Sequence, residues 1–151
     1  MRVLLALAIA LAALTARAQP AEVPGWFAES FLEFPQDVRE AARDGKRLML
    51  YFWQEGCPYC KLFVETTLAD RTIQERTRRH FVAVALDIFG AREVEWVDGR
   101  RMSEKALAQA LNVKATPTLL FLDERGGIAL RVVGYVPPER FAASLEDAKR
   151  R

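Results

Sequence analysis

The amino-acid sequence predicts an α/β domain in which one mixed β-sheet is covered by helices on both faces. A continuous apolar run at residues 48–53 and the mostly apolar segment FVAVALDI at residues 81–88 are typical of buried strands, and a segment with helical character separates them. Further along, the turn residues ERGG separate TPTLLFLD from IALRVVG, which is the pattern of a β-hairpin. Helical segments before, between and after these strands are expected to cover the sheet.

The first 18 residues predict a cleaved export signal. Arg2 supplies a positive charge, residues 3–14 form an apolar run, and Ala16-Arg17-Ala18 has the pattern of a cleavage site. The apolar run is twelve residues long, whereas a membrane-spanning helix needs roughly 20, so we favour cleavage over a retained anchor. The mature domain is then expected at residues 19–151.

The charge of the mature chain gives no electrostatic reason to expect a nucleic-acid or anionic-membrane partner. Cleavage removes Arg2 and Arg17 from the 22 basic residues and none of the 20 acidic ones, so the net charge falls from +2 to zero. About 133 residues remain, which is enough for one domain with its own core.

The elements are predicted in the following order. Phe34, Val38, Ala41 and Ala42 recur at helical spacing, and Asp44-Gly45 ends this first helix before the central strand. A polar helical segment then precedes the second strand. The later elements are a helix from Ser103, as N-cap, to Leu111, the hairpin, and a closing helix, PPERFAASLEDAKR, that begins with prolines.

The only two cysteines, Cys57 and Cys60, allow three interpretations. A structural disulfide is a weak one, because so short a loop removes little freedom from the unfolded chain. A structural zinc site needs four ligands, and the chain adds only one histidine, His80, to the two thiols. A redox couple is the interpretation that remains. No metal or other cofactor is expected beyond the Cys57–Cys60 disulfide itself.

The chemistry of Cys57 is predicted from its place at the start of a helix. Residues 54–56 have the composition of a turn, and Pro58 suits the first helical position. Free backbone donors and the helix dipole favour a thiolate there, so Cys57 is expected to have a lowered pKa and to be the exposed nucleophile. Cys60, one turn along the same face, is expected to resolve the mixed disulfide. The residues alone do not choose between reduction and oxidation.

The combination of Trp53, CPYCK at 57–61, Thr116-Pro117-Thr118 and Gly134 before a closing helix resembles the thioredoxin superfamily. The resemblance covers nearly all of the mature chain and implies a thioredoxin-like three-layer fold. A Cys-X-X-Cys motif alone is a modest signal. Here it follows an apolar strand, and the proline of a Thr-Pro pair lies 57 residues beyond the second cysteine.

Three longer stretches more narrowly resemble the periplasmic thioredoxin-like proteins found with bacterial sulfur-oxidation systems. They are FLEFPQDVREAARDGKRLMLYF, GCPYCK, and the segment from LDIFGAREV to KATPTLLFLDERG. The resemblance implies a periplasmic reductase of protein disulfides in sulfur-oxidation or cytochrome-maturation proteins. The expected partners are disulfide-containing periplasmic proteins and a membrane electron donor of the thiol–disulfide interchange type, with the chain itself a monomer.

In the superfamily, the proline that corresponds to Pro117 is cis and lies beside the cysteines, where adjacent backbone groups hold an extended substrate. The resemblance therefore implies a cis Thr116–Pro117 bond rather than a trans proline at the start of an edge strand. It also implies a substrate-binding surface and a set of supporting residues around the cysteines. The substrate-binding residues are Pro58, Tyr59, Thr116 and Pro117, and the supporting residues are Trp53, Glu55 and Lys61.

The chain departs from the superfamily pattern near the cysteines. Thioredoxins usually hold a buried acid on the central strand that helps to take the proton from the second cysteine, and the aligned residue here is Tyr51. Proton transfer at Cys60 is then expected to use Glu55, water or another group. Gly56 also stands in place of the usual tryptophan before the first cysteine.

The spacing to Pro117 exceeds that of a minimal thioredoxin, so residues 89–101, which include Trp96, are expected to be an insertion. The insertion either shapes partner choice or covers an edge of the sheet.

Other functions stay open for the same fold. One is a thiol oxidase, and another is a non-catalytic module that binds peptides. The CPYC motif also resembles glutaredoxin, in which paired glycines introduce a helix. Gly126-Gly127 precede a predicted strand in this chain, so they are expected to form a hairpin turn instead.

Overall fold

The computed structural model describes residues 22–151, so the predicted export signal lies outside the described residues. Among residues 22–151, no helix has the length and apolar composition of a membrane span. The elements follow in the order α1 (Phe34–Arg43), β1 (Arg47–Trp53), α2 (Pro58–Glu65), α3 (Arg71–His80), β2 (Phe81–Asp87), β3 (Glu93–Glu95), β4 (Arg101–Ser103), α4 (Glu104–Ala110), β5 (Thr118–Leu122), β6 (Ile128–Val133) and α5 (Pro138–Arg150).

The main sheet has four strands in the order β2–β1–β5–β6. β1 runs parallel to β2 and antiparallel to β5, and β5 and β6 form the predicted antiparallel hairpin. The glycines at 126 and 127 lie in the turn of this hairpin, as expected. The prediction of one mixed sheet within an α/β domain is confirmed.

The sheet separates two apolar cores, because side chains alternate between the faces of a strand. One core lies between the sheet and helices α2, α3 and α5, and the other between the sheet and helices α1 and α4. From β1, the first core receives Met49, Tyr51 and Trp53, and the second receives Leu48, Leu50 and Phe52. Both cysteines belong to the first core.

The insertion forms an element that the sequence does not predict. Strands β3 and β4 pair as a small antiparallel sheet. Trp96, between them, is buried and packs edge-on against Phe34, with ring centroids 5.7 Å apart. Glu104, just after β4, accepts a hydrogen bond from the Asp87 N–H at the edge strand β2, at 3.0 Å. Of the two roles expected for the insertion, this packing supports the covering of an edge.

Candidate active site at the start of helix α2

The turn after β1 places Cys57 at the N-cap of α2. Gly56 has a φ of 70°, a conformation that residues with a side chain rarely adopt, and the chain then enters the helix at Pro58. The Cys57 sulfur accepts a hydrogen bond from the Cys60 N–H at 3.1 Å. This sulfur therefore occupies the position that a serine or aspartate oxygen takes in most helix caps.

Cys57 and Cys60 are joined by a disulfide, and their Cα atoms are 5.2 Å apart. Cys60 is fully buried and Cys57 is 4 % exposed. The expectation that Cys57 is the exposed nucleophile is therefore wrong as stated, because its sulfur faces the loop before β5 rather than open solvent. Cys57 is nevertheless the more accessible of the two thiols, which is the order that the predicted chemistry requires.

The loop before β5 brings Thr116 and Pro117 to Cys57. The Thr116 hydroxyl donates to the Cys57 sulfur at 3.2 Å, and the Thr116 carbonyl oxygen lies 3.6 Å from the same sulfur. The Thr116–Pro117 peptide bond is cis. The antiparallel register pairs Phe52 with Thr118, so the end of β1 and the start of β5 meet beside the cysteines. The Pro117 carbonyl oxygen accepts a hydrogen bond from the Gly134 N–H at 2.8 Å. A substrate N–H therefore cannot bind this oxygen from the side that Gly134 occupies.

The other predicted substrate-binding residues lie on the outer face of α2. Pro58 is exposed, and Tyr59 is 62 % exposed. Leu62, which the sequence analysis leaves out, is 40 % exposed and follows Tyr59 at helical spacing. A partly exposed apolar surface therefore lies next to Cys57.

The supporting residues are less closely connected to the cysteines. Trp53 is buried at the end of β1, and its carbonyl accepts from the Ile88 N–H at 3.0 Å. Lys61 is exposed and lies 3.8 Å from Glu65, one turn further along α2. Glu55 is exposed on the turn, and none of the hydrogen bonds among residues 22–151 joins it to a cysteine.

Tyr51, at the position of the usual acid, is fully buried in the first core. Its hydroxyl donates to the carbonyl of Glu22 at 2.9 Å. Burial, with a smaller contribution from the charge of Glu22, raises the pKa of Tyr51 far above its ordinary value, so the hydroxyl stays protonated. Tyr51 is therefore a hydrogen-bond donor and does not accept a proton from Cys60.

Glu22 is a residue of this site that the sequence analysis misses. Its carboxylate accepts from the Gly56 N–H at 3.2 Å, one residue before Cys57. The contact spans 34 positions of the sequence and belongs to no local motif. The aromatic pair Trp26-Phe27, just after Glu22, is the one sequence signal that this segment packs on the core.

A family model described as a thioredoxin-like domain matches residues 34–149. The chain belongs to this family. Over 121 residues, the thioredoxin-like domain is 29 % identical to the thiol:disulfide interchange protein DsbD of Ralstonia nicotianae, a match that covers 80 % of this chain and 18 % of the relative. The chain thus spans about a fifth of the length of this relative.

Two solved structures have the same fold as the thioredoxin-like domain. A thioredoxin-fold protein from Helicobacter pylori superimposes with a TM-score of 0.62 at 26 % identity, over 77 % of this chain and 79 % of that one. The oxidised C-terminal domain of DsbD from Neisseria meningitidis superimposes with a TM-score of 0.58, over 81 % of this chain and 97 % of that one. Its identity is 19 %, so this likeness is one of fold alone.

The family and the site together establish the class of activity. A thioredoxin-like domain with a disulfide-linked Cys-X-X-Cys pair at the start of a helix is a thiol–disulfide oxidoreductase. The narrower resemblance to proteins of sulfur-oxidation systems stays a prediction.

Proposed function

We propose that this thioredoxin-like domain is a periplasmic reductase of protein disulfides. The observation that carries the proposal is the disulfide-linked pair at the start of α2, with Thr116 against the Cys57 sulfur and an exposed apolar surface beside it. The partial match to a thiol:disulfide interchange protein supports an electron-transfer role. The export-signal pattern at residues 1–18 supports the location.

The reaction begins with the reduced pair. The Cys57 thiolate attacks one sulfur of a substrate disulfide, that S–S bond breaks, and the other substrate sulfur leaves as a thiolate and takes a proton from water. Cys60 then loses its proton and attacks the Cys57 sulfur, which releases the second substrate thiol. Two electrons have moved to the substrate, and the Cys57–Cys60 disulfide has formed.

Each neighbour of the pair has a part in these steps. The Cys60 N–H and the Thr116 hydroxyl both point at the Cys57 sulfur, so two donors stabilise negative charge on it. The burial of Cys60 keeps its thiolate from attacking external disulfides directly, so Cys57 makes the first attack. Water is the proposed proton acceptor for Cys60, since Tyr51 stays protonated and, among residues 22–151, Glu55 makes no hydrogen bond to the pair.

The finer identity of the partners follows from the resemblance. We propose that the substrates are sulfur-oxidation or cytochrome-maturation proteins. A membrane electron donor of the thiol–disulfide interchange type would return the pair to its reduced form, with no cofactor besides the disulfide.

The test is the equilibrium potential of the pair in glutathione buffers, together with the reduction of insulin disulfides. A potential near that of a thioredoxin, about −270 mV, supports a reductase, and one near a strong oxidant, about −120 mV, means that the domain delivers disulfides instead. Cys57→Ser is expected to abolish insulin reduction. If the variant reduces insulin at the wild-type rate, the thiols are incidental and the domain is a binding module.

The substrates are identified with Cys60→Ser in periplasmic extracts. This variant retains the nucleophile and cannot resolve the mixed disulfide, so partners stay covalently attached to Cys57. Cys57→Ser is the matched control, because it retains one thiol of the pair and lacks the attacking one. Proteins captured equally by both variants are not substrates.

A further inference from the structure

Residues 22–28, called here the N-terminal strap, lie on the same core as the cysteines. The Trp26 indole N–H donates to the Leu68 carbonyl at 3.2 Å, and the Ala28 N–H donates to the Ala83 carbonyl of β2 at 2.8 Å. Phe27 is buried and packs edge-on against Tyr51, with ring centroids 5.7 Å apart. The strap is therefore held at several points by backbone and aromatic contacts.

Glu22, at the start of the strap, contacts the active-site region through two different groups. Its carbonyl accepts from the Tyr51 hydroxyl at 2.9 Å, and its carboxylate accepts from the Gly56 N–H at 3.2 Å. Tyr51 is fully buried, so the first contact fixes the backbone of Glu22 against the core. The second contact then places a carboxylate at the residue that precedes Cys57.

The charge of Glu22 acts against a thiolate at Cys57. A negative group close to a thiol disfavours its ionised form. The Gly56 N–H is also satisfied by this carboxylate. Two other charged side chains lie near the start of α2: Glu55 is exposed, and the ammonium of Lys61 is 3.8 Å from the carboxylate of Glu65. Glu22 is the carboxylate that is hydrogen-bonded to the turn before Cys57.

We propose that Glu22 is a positioning residue that fixes the turn before Cys57 and, through its negative charge, lowers the reduction potential of the Cys57–Cys60 pair. The reduced pair carries negative charge as a thiolate, whereas the disulfide is neutral, so a nearby carboxylate destabilises the reduced form more than the oxidised one. A lower potential makes the domain a stronger electron donor. This inference deepens the proposed reductase function and rests on it for its biological meaning.

The decisive variant is Glu22→Gln, because its side-chain oxygen still accepts from the Gly56 N–H while the charge is removed. The equilibrium constant for reduction of the disulfide by glutathione is expected to rise about threefold, which corresponds to a potential about 15 mV less negative. The fraction of Cys57 present as thiolate at a fixed pH, followed by absorbance at 240 nm, is expected to rise with it. Both changes should shrink at high salt, because Glu22 is partly exposed.

Two further variants separate charge from structure. Glu22→Ala loses both the charge and the hydrogen bond, and it is expected to raise the potential at least as much. Glu29→Gln is the matched control, because Glu29 is exposed in the next part of the chain and makes no hydrogen bond or ion pair among residues 22–151. The control removes the same charge from the protein and is expected to leave the potential unchanged.

The outcomes are distinguishable. An unchanged potential in Glu22→Gln overturns the role of the charge, even if Glu22→Ala shifts it. An equal shift in Glu29→Gln overturns the proposal too, since net charge alone would then explain the effect. The proposed function is judged by the wild-type potential and insulin reduction, whereas this inference is judged by the difference between variants, so one can fail without the other.

Discussion

At the scale of single residues, the cap of α2 and the redox nucleophile are the same atom. The Cys57 sulfur accepts from the Cys60 N–H and from the Thr116 hydroxyl. A local motif predicts Cys57 and Cys60, because their spacing along one turn is visible in the sequence, whereas the place of Pro117 follows from the resemblance to the thioredoxin superfamily. The burial of Cys57 and the contact of Glu22 are not visible there, because both depend on how distant segments pack.

The hydroxyl of Tyr51 gives a prediction at this scale. Tyr51→Phe removes the donor to the Glu22 carbonyl and keeps the buried ring, so the free energy of unfolding is expected to fall by about 1 kcal/mol. Urea denaturation of the variant and the wild type measures this change in the free energy of unfolding. Tyr59→Phe, at an exposed position, is the control and should leave the stability unchanged. Equal stability of Tyr51→Phe and the wild type would mean that water replaces the bond without loss.

At the scale of elements, the long apolar strands are predictable and the insertion is not. β1 and β2 are mostly apolar along their length because both faces of the sheet are covered. β3 and β4 are three residues each and are rich in charge, so no alternation is long enough to indicate them. Their pairing depends on side chains that reach a distant core, such as Val94, which is fully buried.

The insertion is expected to be held by its core contacts rather than by its ion pairs. Trp96→Ala removes a buried ring that packs on Phe34, so the free energy of unfolding should fall by about 3–5 kcal/mol. Arg101→Ala breaks the exposed pairs with Glu93 and Glu95 and should cost less than about 1 kcal/mol. Chemical denaturation of both variants tests this. A larger loss in Arg101→Ala than in Trp96→Ala would contradict it.

Glu104 joins the insertion to the edge strand. Its carboxylate is 2 % exposed, and it accepts from the Asp87 N–H and the Arg92 guanidinium. Glu104→Ala leaves the Asp87 N–H without this acceptor, so the free energy of unfolding should fall by about 2–3 kcal/mol. Glu104→Gln keeps an acceptor for the Asp87 N–H, so its free energy of unfolding should fall by less than that of Glu104→Ala. If thermal or urea denaturation finds the two variants equal, the ion pair with Arg92, rather than the strand contact, is the larger contribution.

At the scale of the whole molecule, the sheet register assembles the site. β1 and β5 are antiparallel, so the end of β1 and the start of β5 lie at the same end of the sheet, where α2 also begins. The sequence predicts the order of these elements, which is why the fold class and the paired cysteines follow from it. The register itself depends on packing of both cores and is not encoded in any one segment.

The redox state of the Cys57–Cys60 pair is linked to the stability of the whole domain. Folding and disulfide formation make a thermodynamic cycle. The difference in unfolding free energy between the oxidised and reduced forms therefore equals the difference in reduction potential between the folded and unfolded chain. A difference of about 30 mV corresponds to about 1.4 kcal/mol. A reductase has a potential lowered by its fold, and its disulfide form must then be the more stable one. We therefore expect the oxidised protein to unfold at a higher urea concentration than the protein in excess dithiothreitol. The double variant Cys57→Ser/Cys60→Ser is the control, and its midpoint should not respond to dithiothreitol. A reduced form that is more stable than the oxidised one is the behaviour of a strong oxidant, and it would reverse the proposed direction of electron flow.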